Sequence, residues 1–162
     1  MQVVAAPPSS PHSQEYVGFW ARVWATLIDT ALVLAVTVPL LAATYGWSYI
    51  DPRTLGSTAG VADILISYVA PAAAAVAFWL VGQATPGKMA ISARVVDAST
   101  GNTLTLRQSV IRYLSYFLSA FPLGVGFLWV AFDARKQGWH DKLAGSVVVR
   151  SRQRTIPTSA HP

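Results

Sequence analysis

Residues 30–50 read TALVLAVTVPLLAATYGWSYI, about 20 positions without one charged side chain. Two further windows, 64–87 and 113–132, are equally free of charge. Each reaches the roughly 18 residues that mark a membrane-spanning candidate, because a helix of about 20 residues covers the ~30 Å hydrocarbon core. Barrel strands would show short segments of alternating polarity, and that alternation is absent.

Composition agrees. The chain has 162 residues, 53% hydrophobic and only 12% charged, against roughly 25% charged in soluble domains, with a mean hydropathy of +0.43. There is no cysteine, which excludes disulfides, thiolate metal sites and cysteine nucleophiles. The first 20 residues hold no Lys or Arg and do not form a secretory signal, so the first apolar segment is expected to remain as an anchor.

Residues 1–15, with Pro7, Pro8, Pro11 and several Ser, read as a disordered tail, 16–150 as the membrane domain and 151–162 as a basic disordered tail. Helix one is predicted over about 19–45, with Trp20 and Trp24 at one interface and Trp47 and Tyr49 at the other. Helix two is predicted over about 62–84, disturbed at Pro71, which removes a backbone donor and crowds the preceding turn. Its run of Ala residues allows another helix to approach closely. Beta-branched runs predict strands over about 90–96, 103–105 and 145–150, the first and last paired on one side of the membrane.

The third window contains Pro122, Gly124 and Gly126. A straight span would put the basic residues before it and after it on opposite faces, against the tendency of Lys and Arg to gather in cytoplasmic segments. A helical hairpin with arms at about 106–120 and 123–132 keeps them together, the second arm being only about 15 Å long. The fold class is therefore an all-α polytopic membrane protein. It has two full transmembrane helices, a Pro/Gly-broken third hydrophobic segment that is a hairpin or a third span, and a small cytoplasmic β element. A multi-pass topology with N and C termini cytoplasmic follows from the same count.

Arg22 and Asp29 stand seven residues apart on helix one, within about 20° of one face and about 10 Å along the axis. Arg22 near the helix start can snorkel to the headgroups. Asp29 has a short stem, and an Asp deep in a membrane helix costs roughly 2.5–3.5 kcal/mol. It must be protonated, paired or facing a polar cavity, either as a proton or cation site or as a polar lock. Near the other end, residues 132–142 (FDARKQGWHDK) alternate charge beside a helix terminus. Scattered His residues without HExxH spacing do not suggest a metal site, and Thr85-Pro86-Gly87-Lys88 lacks the spacing of a phosphate loop. No cofactor and no enzymatic activity are expected. The net charge of +5 is ascribed to anionic lipid headgroups and not to nucleic acid.

These motifs together resemble the RDD family of bacterial integral membrane proteins. Gly18-Phe19-Trp20-Ala21-Arg22 with Leu27-Ile28-Asp29 is similar to the family's first helix, and the likeness runs through Thr85-Pro86-Gly87-Lys88, Arg94-Val95-Val96-Asp97, Gly101 and Phe132-Asp133 to His140-Asp141-Lys142-Leu143-Ala144-Gly145. The resemblance implies Arg22, Asp29 and Asp141 as signature polar residues, with Asp133 as the competing assignment for the last. Arg135, His140 and Lys88 are secondary candidates, and Arg22, Asp29 and the His140-Asp141 region are expected to form one polar cluster. It also implies a location in a bacterial cytoplasmic (inner) membrane and transport of, or coupling to, a small ligand, cation or proton; since three or four helices from one chain enclose little space for a pathway, a homo-oligomer or a membrane partner protein is expected. The alternative is a non-transporting scaffold or accessory subunit whose intramembrane charges are structural.

Overall fold

The computed structural model describes residues 14–46, 49 and 60–151. The expected belt at Trp47, the linker 50–59 and the tails 1–13 and 152–162 lie outside them. In chain order the elements are β1 (Gln14–Tyr16), α1 (Phe19–Tyr45), α2 (Val61–Gly82), α3 (Pro86–Ala90), β2 (Ala93–Asp97), α4 (Leu106–Ala120), α5 (Val125–Phe132), α6 (Trp139–Leu143) and β3 (Ser146–Ser151).

Helices α1 and α2 are long and apolar enough to cross a membrane, and α4 with α5 counts as a third such segment if the bent pair is taken together. The protein is thus mostly helical, with two to three helices able to span a bilayer and a small sheet. Helix α2 meets Pro71 by widening its ladder. Residues Leu65–Val69 form a π turn, with Ala70 N–H donating to the Leu65 carbonyl. The extra residue relieves the crowding that the proline ring imposes on the turn before it.

Helices α4 and α5 are bent by 100° at their junction, where Gly124 takes φ 77°, a conformation that costs glycine nothing. The apolar turn is turned outward, with Phe121 90% and Leu123 97% exposed. The four buried residues of α4 are Ser109, Arg112, Ser115 and Ser119, while Leu106, Leu114, Phe117 and Leu118 are exposed. That polarity is the reverse of a helix at a water-facing surface. It suits a helix whose outer face meets hydrocarbon and whose polar groups pack inward.

The sheet has the order β1-β3-β2, all antiparallel. Val96 pairs with Val147 and Asp97 with Ser146, so the two beta-branched runs flanking the third apolar segment meet, and the chain returns to the strand it left. Val148, Val95, Ala93, Val17 and Leu104 pack with Trp79 of α2 into the core, supported by Tyr113 and Tyr116 of α4.

Three expectations need correction. Residues 14 and 15, assigned to a disordered tail, belong to β1, where Glu15 pairs with Arg150 at 3.2 Å. Residues 103–105 form no strand. Asp97 caps its own turn by accepting from the Ser99 and Thr100 backbone N–H groups, and Thr105 is drawn into a capping box with Gln108 at the start of α4. Two five-residue helices, α3 and α6, were not expected at all; each is held by a carboxylate described below.

Candidate functional site

Asp141 is the third residue of α6, and its Oδ2 accepts from the Gly138 backbone N–H at 3.0 Å, closing the first turn. The carboxylate is 0% exposed. Arg22 Nη1 of α1 lies 2.5 Å from its Oδ2 and Arg112 Nη1 of α4 lies 2.5 Å from its Oδ1. Arg22 also donates to the Val17 carbonyl at 3.0 Å and the Lys136 carbonyl at 2.5 Å, so its fork ties the start of α1 to the β1–α1 link and to the α5–α6 connection. Arg112 donates to Ser146 Oγ, and its guanidinium carbon stands 5.3 Å from the Trp79 ring centroid and 5.9 Å from that of Tyr116. Ser146 Oγ donates in turn to the Asp141 carbonyl at 3.3 Å, and Gln137 Nε2 to the Ser146 carbonyl at 2.8 Å.

Burial opposes ionisation of Asp141, but the adjacent guanidiniums of Arg112 and Arg22 outweigh it and hold the carboxyl well below the usual range. The neighbouring His140 sits against Tyr116 and Phe127, with ring centroids 4.6 and 5.2 Å away. Burial pushes its pKa down to about 3, and the cations Arg112, Arg22 and Lys88 push the same way against Asp141. The imidazole is therefore neutral at physiological pH, and its Nδ1 lies 3.4 Å from Ser119 Oγ.

Asp29 occupies a separate site. Its Oδ2 accepts from Thr85 Oγ1 at 2.6 Å and its Oδ1 from the Gly87 backbone N–H at 2.7 Å, so it caps α3 from outside. Lys88 Nζ is 4.0 Å from Oδ2 and donates to Thr85 Oγ1 at 3.3 Å. The approach needs Gly87, because a Cβ there would sit 2.0 Å from the Ala25 carbonyl oxygen. With only small residues between them, the start of α3 rests on the backbone of α1.

The single cluster expected of Arg22, Asp29 and the His140-Asp141 region is thus two. Arg22 pairs with Asp141, His140 lies beside it, and Asp29 pairs with Thr85, Gly87 and Lys88. Of the two aspartates considered as the signature partner, Asp141 is the one on Arg22. Asp133 instead pairs with Lys142 at 2.5 Å, which holds its pKa below the ordinary value despite burial, and its other oxygen accepts from the Arg135 and Gln137 backbone N–H groups. The Arg135 side chain donates to the Ala98 carbonyl at 2.9 Å, away from both clusters. Arg112 is the residue that sequence reasoning missed. Its signal was the spacing of Ser109, Arg112, Ser115 and Ser119, a polar stripe along one face of an otherwise apolar helix.

The charged residues of both clusters, Arg22, Asp29, Lys88, Arg112 and Asp141, fall within 16–145, the stretch matched by the model of the RDD family. The chain belongs to the RDD family. It is 30% identical over 146 residues to the uncharacterized membrane protein YteJ of Bacillus subtilis, covering 85% of this chain and 82% of that one. It is 40% identical over 76 residues to the uncharacterized protein RP437 of Rickettsia prowazekii, covering 47% of this chain and 42% of that one. A proline-rich antigen homolog of Mycobacterium tuberculosis is 36% identical over 63 residues, 39% of this chain and 26% of that protein. The chain therefore matches less than half the length of the last two. No solved structure matches. This RDD protein is thus a membrane protein.

Proposed function

We propose that this RDD protein is a non-catalytic, multi-pass protein of a bacterial cytoplasmic membrane that serves as a scaffold or accessory subunit, with its buried charges acting as locks. The observation that carries this reading is Asp141 itself, enclosed between guanidiniums from two different helices. Such a triad holds α1, α4 and the α6–β3 segment in one arrangement, and a pair engaged this closely has little freedom to exchange a passing ion. The sheet and α6 then form a docking platform for a membrane partner or a second copy.

In this reading α1 and α2 cross the bilayer and α4–α5 dips into it and returns. The exposed Phe121 and Leu123 at the turn support immersion in hydrocarbon, since a turn in water would carry polar residues. Arg94, Arg107, Arg135, Lys136, Lys142 and Arg150 all lie in or next to the segments that flank the sheet, which supports a cytoplasmic sheet with both described ends on that side. A reporter fused at the C terminus should be active only in its cytoplasmic form; an external signal overturns the topology. Photo-cross-linking from α6 should recover one constant partner, and Arg22→Ala should lower the protein's abundance. A protein that purifies alone and is as abundant after Arg22→Ala speaks against the scaffold.

A second reading, coupling to a cation or proton, draws on Asp29. Its side chain is 22% exposed with Lys88 only 4.0 Å away, so it is reachable in a way Asp141 is not. Reconstituted vesicles should then show a proton or sodium flux that Asp29→Asn abolishes while the protein stays folded. Flux unchanged by that substitution removes the reading.

A further inference from the structure

Between α2 and α4 runs a groove of about 440 Å³, lined among others by Val69, Ala73, Val76, Leu80, Val110 and Leu114. From Val69 to Leu80 it extends along α2 for about 16 Å at ~1.5 Å per residue, close to half of the ~30 Å hydrocarbon core. One end is fixed by the fold. Gln83, just past α2, donates to Thr103 Oγ1 at 2.7 Å, so the C-terminal end of α2 meets the N-terminal end of α4 on the side of the sheet. The groove therefore opens at that interface and ends near mid-bilayer.

Arg107 stands at that mouth, in the first turn of α4. It lies on the same face as Val110 and Leu114, because positions 107 and 114 differ by only about 20° around the helix. Arg107 is exposed, and among the described residues the ion pairs involve other cations. An apolar channel one leaflet long, with a guanidinium at its headgroup end, has the pattern of a phospholipid: an acyl chain along the helices and a phosphate on the Arg.

We infer that the α2–α4 groove is a specific site for an anionic phospholipid of the leaflet on the side of the sheet, its acyl chain between Ala73 and Leu114 and its headgroup on Arg107. The inference depends on the basic side facing the headgroups and not on whether the protein scaffolds or transports.

The full chain in nanodiscs of equal dioleoyl phosphatidylglycerol and dioleoyl phosphatidylcholine, released for native mass spectrometry, should retain one phosphatidylglycerol in preference to phosphatidylcholine. Arg107→Gln should lower phosphatidylglycerol retention about fivefold and leave phosphatidylcholine unchanged; Ala73→Phe, which fills the groove, should lower both. Equal retention of the two lipids, or undiminished retention in Ala73→Phe, overturns the site. Because the chain has no cysteine, Ala73→Cys tests the rival occupant directly: disulfide-linked dimers formed in the membrane would mean that a second copy covers the groove, and would also overturn it. Arg107 is exposed, so its variant decides the question even if Ala73→Phe does not fold.

Discussion

Asp141 and Asp29 are the same side chain set to different tasks. Asp141 is enclosed by two guanidiniums with no exposure, whereas Asp29 is reached by a hydroxyl, a backbone N–H and a more distant ammonium, and keeps 22% of its side chain exposed. The first is a counter-charge that a buried Arg112 and a half-buried Arg22 require; the second is a cap on a short helix. Their energetic weight should differ accordingly, since removing one member of a buried ionic network leaves the others unpaired.

The largest effect is expected from Asp141→Asn. Arg22 and Arg112 would remain enclosed without an anion, at about 3–5 kcal/mol, and detergent-solubilised protein should lose most of its monodisperse fraction in fluorescence-detected gel filtration. A variant that elutes like the parent would erase the contrast. Next is Gly87→Ala. The added methyl collides with backbone rather than a yielding side chain, so α3 must lift from α1 at about 1–3 kcal/mol, read as a lower thermal midpoint in detergent.

Acid should act on the Asp141 side of the comparison through two groups. His140 has a folded pKa of about 3 against 6.5 ordinarily, so the fold holds it neutral. Its contribution is complete above about pH 6.5 and falls as pH drops toward 3. The depressed Asp141 carboxyl adds stability above its unfolded value of about 4 that is lost only at still lower pH. Thermal midpoints at pH 7.5 and 5 should therefore fall with acid, and less in His140→Gln; an equal fall in that variant would move the sensitivity elsewhere.

Smaller effects follow outside the triad. Asp29→Asn keeps an acceptor for α3 and should cost about 1 kcal/mol, separating the cap from the lock by several-fold. Asp133→Asn breaks a pair whose Lys142 end is 44% exposed, and exposed pairs contribute under about 1 kcal/mol; its midpoint should scarcely move.

The long helices were legible because uncharged windows of spanning length leave few alternatives, and the β2–β3 pair because both runs are beta-branched. Even the break in the third segment could be read, from Pro122 and Gly124. Less legible were α3 and α6, since five residues contain no usable period: α3 forms where Asp29 of α1 caps it from outside, and α6 where its own Asp141, held by Arg22 and Arg112, closes the first turn. For β1 the difficulty was similar: Gln14–Tyr16 has no apolar alternation and becomes a strand because β3 offers it an edge. Arg22 was expected beside Asp141 and is found there, but Arg112 on Asp141 and Thr85 and Gly87 on Asp29 were not expected, because the Arg22–Asp29 spacing along α1 says nothing of the residues that approach from other elements.

The position of β3 between β1 and β2 sets the order in which this molecule can be finished. It follows every other described element in the chain, so while the ribosome is still making the earlier segments, neither flanking strand has its neighbour. Closure of the sheet therefore waits for residues 146–151. A nascent chain arrested before Ser146 would leave both strands with open edges, the kind of surface that chaperones and proteases inspect.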